Sequence, residues 1–143
     1  MKEIHILLVE DNEGDIILTM EALKEAKVKN KVSIAKDGEE AISILFQTGK
    51  YAGAELPDLI LMDINLPKID GKEVLMKIKT HERLKVIPVV MLTTSNAEKD
   101  IAESYSNHAN CYIVKPVDMD KFLTVIHSIE DFWLTIVKLP GIK

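Results

Sequence analysis

The stretch Ile4-His5-Ile6-Leu7-Leu8-Val9-Glu10-Asp11 is an apolar run that stops on two carboxylates. Only His5 interrupts it, so it does not alternate as a half-exposed strand would; it has the pattern of a strand covered on both faces, as in parallel sheets. Further runs of this kind follow. Residues 58–62 lead into Asp63, residues 88–92 into Thr93, and the shorter run 111–114 into Lys115. Val32 and Ile34 alternate with polar neighbours and predict a weaker strand at a sheet edge.

Between these runs the period changes to that of helices. Ile16, Met20 and Leu23 share one helical face, as do Ala41, Ile42, Leu45 and Phe46. Asp37 with Glu40, and Ser95 with Glu98, have capping-box spacing, and Gly49 suits a helix C-terminus. Val74, Leu75 and Ile78 mark a third helix, and Ile101, Ala102 and Tyr105 a fourth. The last helix is predicted from about 118 to 139, where Pro140-Gly141 stops it. Residues 47–57 form the longest connection. Strands alternating with helices build a parallel sheet covered on both faces. The expected fold is therefore α/β, a flavodoxin-like doubly wound (βα)5 domain with strand order 2-1-3-4-5.

Composition bounds the possibilities. The 143 residues suit one domain, taken here as 1–143, and the 47% apolar content supports a core without disulfides. A net charge of −5 argues against a nucleic-acid partner, which would need clustered Lys and Arg. Lys24, Lys27, Lys29 and Lys31 form only a modest cluster diluted by Glu21 and Glu25. The single cysteine, Cys111, reads as inert packing and fits a reducing compartment. Neither a signal peptide nor a run of membrane-spanning length is present, so a cytoplasmic protein without membrane contact is expected. His5, His81, His108 and His127 lack the mutual spacing of a metal site.

The strand ends carry the chemistry. In this architecture ligands sit beyond the carboxyl ends of the strands, at the switch point between strands 1 and 3. Glu10, Asp11, Asp63, Thr93 and Lys115 all belong to that rim. Alone, Glu10-Asp11 reads as a strand end, Asp63 as a turn cap and Lys115 as a surface charge; together they read as a site. Three clustered carboxylates repel one another, and a hard divalent cation such as Mg²⁺ or Mn²⁺ relieves this with oxygen ligands. A carboxylate beside such an ion can attack an activated phosphoryl group. Lys115 would neutralise charge on the phosphoryl oxygens, and Thr93 would donate a hydrogen bond. The sequence 10–15 has one glycine, Gly14, and is no nucleotide-binding loop.

The segments Leu7-Leu8-Val9-Glu10-Asp11-Asn12, Asp58-Leu59-Ile60-Leu61-Met62-Asp63, Pro67 to Gly71 and Val114-Lys115-Pro116 resemble the receiver domains of bacterial two-component systems. The resemblance covers almost the whole chain. It implies that Asp63 is the phosphoacceptor, that Asp11 binds the metal directly and Glu10 through water, and that the Asn65 backbone carbonyl completes the protein ligands. It further implies that Thr93 moves toward the phosphoryl group, that Lys115 pairs with it ahead of a cis peptide to Pro116, and that Tyr112 is the aromatic residue that swings inward. The expected function is a switch that takes a phosphoryl group from a sensor histidine kinase. It would catalyse only its own phosphoryl transfer and autodephosphorylation. Gly49-Lys50-Tyr51, Leu92-Thr93-Thr94-Ser95, Ala109-Asn110-Cys111-Tyr112 and Phe132-Trp133-Leu134-Thr135 resemble the single-domain regulators paired with bacterial phytochromes, which implies a kinase of that type.

Other readings are a phosphorelay intermediate, an unphosphorylated scaffold receiver, and a phosphatase with an aspartyl nucleophile. The last commonly needs a second acid where this chain has Asn65. Residues 132–139 are apolar around most of a helix, and a helix on a sheet buries one stripe only. Either this segment folds back over its own domain or it covers a second subunit; the second is favoured, so a homodimer through this C-terminal helix is expected.

Overall fold

The computed structural model describes residues 3–25, 29–99, 111–118 and 120–124. In chain order the elements are β1 (Ile4–Val9), α1 (Glu13–Glu25), β2 (Asn30–Ala35), α2 (Gly38–Leu45), a 3-10 turn (Gly49–Tyr51), β3 (Leu59–Asp63), α3 (Gly71–Lys79), β4 (Val89–Thr93) and β5 (Cys111–Val114). All strands are parallel, in the order β2-β1-β3-β4-β5. This is the expected doubly wound arrangement. Residues 96–99 and 120–124 are also helical, the latter opening where Asp118 accepts from the Lys121 amide at 2.8 Å. The remainder of the fourth and last helices, His108, His127, the Cys111 side chain and the apolar stretch 132–139 lie outside the described residues.

β3 and β4 are each buried throughout, and β1 nearly so. Alternation along each strand sorts their side chains into two cores. Leu7, Val9, Ile60, Met62, Val89 and Met91 pack with Ala41, Ile44 and Leu45 of α2 and Val74, Leu75 and Ile78 of α3. Ile6, Leu8, Leu59, Leu61, Val90, Leu92 and Ile113 pack with Ile16 and Leu23 of α1 and with Phe122. Each fully buried side chain of this size contributes about 1.5–3 kcal/mol, which holds the strand ends in fixed register. β2 is the partly exposed edge strand predicted from Val32 and Ile34.

Two strands are shifted from the sequence expectation. β3 and β4 begin and end one residue later than 58–62 and 88–92. Asp58 serves as a cap below β3, its carboxylate accepting from the His5 amide at 2.9 Å. Pro88 has no N–H to donate, although its carbonyl accepts from Ile60. The end of α2 also differs. Gln47, not Gly49, takes the left-handed position that closes this helix (φ 57°), and Thr48 donates back to the Ser43 carbonyl in the manner of a Schellman motif. The Gln47 side chain offsets the strain by donating to Ala54 O (2.6 Å) and accepting from Arg83 (3.1 Å). Gly49, also at positive φ, opens the 3-10 turn instead.

Candidate functional site

Sheet register assembles the rim. Val9 pairs with Met62, Asp63 with Leu92, and Thr93 with Val114. Glu10, Asp63 and Lys115 therefore sit near one level on neighbouring strands. Their parity follows Leu8, Leu61 and Ile113, so all three face the side of the sheet that α1 covers.

Carboxylate oxygens of Glu10, Asp11 and Asp63 lie within 4.8 Å of one another, with Glu10 and Asp63 buried and Asp11 exposed. Lys115 Nζ donates to Asp63 Oδ2 at 3.0 Å and stands 2.9 Å from Glu10 Oε1. The second contact is off the angle of a hydrogen bond, so Glu10 Oε1 is buried and charge-paired but accepts no hydrogen bond among the described residues. The other Glu10 oxygen accepts weakly from the Asn12 amide at 3.3 Å. Burial, reinforced by the charge of Asp63, pushes the Glu10 carboxyl up to about 7 against the lowering effect of Lys115. Burial works the other way on Lys115, but its close contacts with the Asp15, Glu10 and Asp63 carboxylates outweigh it and hold the ammonium group protonated. The peptide from Lys115 to Pro116 is cis, as the resemblance implied.

Asp63 Oδ1 accepts from the Asn65 amide at 3.1 Å, which orients the carboxylate along the β3–α3 turn. That turn is tight because α3 begins against it. The Gly71 amide donates to Ile64 O at 2.9 Å, and a Cβ on Gly71 would press on the carbonyl oxygens of both Asp63 and Ile64. Gly38 plays a matching part at the next turn, where a Cβ would collide with the Ile69 backbone.

Thr93 is buried at the end of β4, but its hydroxyl does not touch the acidic group. It has the parity of Met91, toward the other face, and its Oγ1 donates to Ser95 O (2.8 Å) and accepts from the Ser95 amide (3.2 Å). Tyr112 is partly buried against the α2–α3 core.

The structure adds residues that the sequence reading passed over. Asp15 of α1 accepts from Lys115 Nζ at 2.9 Å. Asp15 lies one helical turn beyond Asp11, and α1 covers the face on which Lys115 lies. That spacing was a usable signal. The spacing of Ser95 and Glu98 predicts only a capping box, and the Glu98 amide does donate to Ser95 Oγ at 3.1 Å. Its carboxylate goes elsewhere, accepting from Asn65 Nδ2 (2.8 Å) and from the Thr94 amide (2.9 Å). Glu98 thus ties the β3–α3 turn to the end of β4. The Asp37–Glu40 box is likewise half made: Asp37 accepts from the Glu40 amide at 2.7 Å, while the Glu40 carboxylate binds Lys36 N and the Tyr51 hydroxyl.

The described histidines are structural. His5 is buried between Ser33 and Glu55, and His81 packs edge-on to Phe46 while its Nδ1 accepts from the Arg83 and Leu84 amides. Lys31 pairs with Glu55 at 2.7 Å, in keeping with a solvated basic face. Among the described residues no helix is long and apolar enough to cross a membrane.

The donor set fits a hard divalent ion. Glu10, Asp11 and Asp63 form the acidic cluster, and one ammonium group, that of Lys115, pairs with Glu10, Asp63 and the neighbouring Asp15. The excess negative charge and the unsatisfied Glu10 oxygen both call for a cation that prefers oxygen ligands.

Comparison with known proteins agrees with this geometry. Residues 6–127 match the response regulator receiver domain. The response regulator Rcp1 of Synechocystis sp. is 46% identical over 136 residues, covering 95% of this chain and 92% of the relative. The crystal structure of the phosphorylated cyanobacterial phytochrome response regulator RcpA superposes with a TM-score of 0.76 at 49% identity, over 94% of this chain and 96% of that one. The Mn²⁺-bound form of Rcp1 does so with a TM-score of 0.73 at 45% identity, over 92% and 94%. With a matching sheet order, a carboxylate-lined rim and relatives aligned nearly end to end, this chain belongs to the response regulator receiver domain family of two-component signalling and is similar within it to the phytochrome response regulators.

Proposed function

We propose that the protein takes a phosphoryl group onto Asp63 from the phosphohistidine of a phytochrome-type sensor kinase. The carrying observation is the setting of the Asp63 carboxylate: it is 4% exposed, bonded to Lys115 on one oxygen and to the Asn65 amide on the other, beside Glu10 and Asp11. In the transfer, an Asp63 oxygen attacks phosphorus and the P–N bond of the donor breaks. Its electron pair returns to the imidazole, which takes up a proton. Hydrolysis resets the switch: a water oxygen attacks phosphorus, the P–O bond to Asp63 breaks with its electron pair restoring the carboxylate, and phosphate leaves while the water proton passes to solvent.

Asp11, Asp63 and the Asn65 carbonyl would hold Mg²⁺ or Mn²⁺, with Glu10 acting through water. When bound, the ion supplies charge neutralisation on the phosphoryl oxygens. The Mn²⁺-bound form of Rcp1 supports this reading. Lys115 neutralises the remaining phosphoryl charge. Thr93 gives up its two bonds to Ser95 to reach a phosphoryl oxygen, and Tyr112 follows it inward; this biases the surface around β5. The protein is a cytoplasmic switch, without nucleic-acid or membrane contact, rather than a turnover enzyme. The single-domain reading, 1–143 with a last helix from about 118 to 139, accompanies this function; residue 119 and residues 125–143 lie outside the described residues. Homodimerisation through that helix rests on the apolar sequence 132–139, outside the described residues.

Incubation with Mg²⁺ and a small acyl phosphate tests the assignment. The wild type should gain one phosphoryl group per chain by mass spectrometry and D63N none. Stoichiometric labelling of D63N would reject Asp63.

A further inference from the structure

Asp15 is the carboxylate on Lys115 that stands apart from the acidic triad. Lys115 Nζ touches Glu10, Asp15 and Asp63 at 2.9, 2.9 and 3.0 Å, and its hydrogen bonds go to Asp15 and Asp63. Glu10 and Asp63 belong to the cluster that would face a cation; Asp15 does not. A lysine head group is a point charge on a flexible stem, and holding it in one direction costs rotamer entropy. Its backbone is fixed, because the Lys115 amide donates to Thr93 O at 2.8 Å, but four side-chain bonds remain free to turn.

Asp15 is well placed to stop that rotation. It lies in the first turn of α1, its amide accepted by Asn12 Oδ1 at 2.9 Å, and the next residue, Ile16, is buried in the sheet core. An acidic residue in a first helical turn ordinarily interacts with the helix dipole and its free amides. Here the carboxylate reaches instead to a residue 100 positions away. An ammonium group has three donors. With one held by Asp15, another is aimed at Asp63 Oδ2, the atom that phosphoryl transfer alters.

We propose that Asp15 is a positioning residue for phosphoryl transfer, anchoring the Lys115 ammonium from α1 so that it points at the group carried by Asp63. This rests on the assignment of Asp63 and Lys115 given above. Asp15 does not touch the phosphoryl group, so its effect passes through Lys115 alone.

The test is a double-mutant cycle in the full chain, measuring the rate of phosphorylation by acetyl phosphate with saturating Mg²⁺ in wild type, D15A, K115A and the double variant. D15A is expected to slow labelling about tenfold in the wild-type background, the scale of a misaimed catalytic group, and less than twofold when Lys115 is already absent. D15N keeps an acceptor oxygen without the charge and should fall between D15A and wild type. An unchanged rate in D15A, or an equal loss in both backgrounds as a merely structural role would give, overturns the proposal. A wild type that takes no label would instead reject the phosphoacceptor assignment itself. A second readout avoids phosphorylation: the Lys115 ammonium signal in ¹⁵N NMR of the metal-free protein should be present in wild type and lost by exchange in D15A. An equally sharp signal in D15A shows that Asp15 does not hold the ammonium group, and overturns the proposal whatever the rates.

Discussion

Replacing Gly71 with Ala should destabilise the protein, and the same substitution at Gly14 should not. Both glycines lie in first turns of helices, where alanine ordinarily gains up to about 1 kcal/mol. Their surroundings differ. At Gly14 an added Cβ meets only Asn12 Oδ1, at 3.3 Å, the end of a side chain that can give way. At Gly71 it would lie 2.8 Å from Ile64 O, about 0.6 Å inside the 3.4 Å at which ordinary contact begins, and closer still to Asp63 O. Both are backbone atoms of a turn whose preceding strand is buried, so α3 has to move. Overpacking of this kind costs about 1–3 kcal/mol. Displacing the helix start also stretches the Gly71–Ile64 hydrogen bond, worth about 1 kcal/mol. After the helix-propensity gain, G71A should be less stable by about 2 kcal/mol, equivalent to a urea midpoint roughly 1 M lower, with the m-value unchanged. G14A should match wild type or exceed it by up to about 1 kcal/mol. Because the displaced atoms include the Asp63 carbonyl, G71A should also slow phosphorylation under conditions where it remains folded. A G71A midpoint equal to that of wild type would show that the turn is loose, and would refute the claim that α3 packing sets the aim of Asp63.

Other outcomes follow from the site. Asp11→Ala should weaken Mg²⁺ binding more than Glu10→Ala, since a direct ligand loses a charge and a bond while a water-mediated one loses less; equal affinities in calorimetric titration would count against that division. Hydrogen bonds from Asn65 and the Thr94 amide hold Glu98 below the ordinary carboxylate value of 4.5, so its folded form binds protons more weakly than its unfolded form. Its contribution to stability is therefore present above that value and lost as pH falls through the lowered one. The stability difference between wild type and E98Q should shrink as pH is taken from 6 to 3 in urea titrations, and a constant difference would refute the clasp. A chain ending at Asp131 should sediment as a monomer where the full chain sediments as a dimer; a monomeric full chain at micromolar concentration would reject the dimer.

Much of this protein was legible one residue at a time. Apolar runs ending in Glu10, Asp63, Thr93 and Lys115 identified the parallel strands and their carboxyl ends, because a strand buried on both faces leaves little room for polar residues before its end. The chirality of βαβ units then left few topologies to consider, and the observed sheet order was among them. The acidic triad was legible for the same reason: its members follow directly from strand ends. What the linear pattern left open depends on the directions of side chains and on contacts between distant segments. Thr93 has the right place but the opposite parity, so its hydroxyl closes on Ser95. Glu98 has capping-box spacing, yet its carboxylate bridges two loops because Asn65 and the Thr94 amide offer donors there. Asp15 became part of the site only when α1 packed over the face carrying Lys115, bringing together charges 100 residues apart. Gly71 could be matched to a motif, but only the approach of α3 to the Asp63 carbonyl explains why a side chain does not fit there. Local pattern determines where chemistry-bearing residues stand along a strand or helix; which of them touch is decided by packing, since hydrogen bonds and ion pairs act over a few ångströms between elements that sequence spacing does not relate.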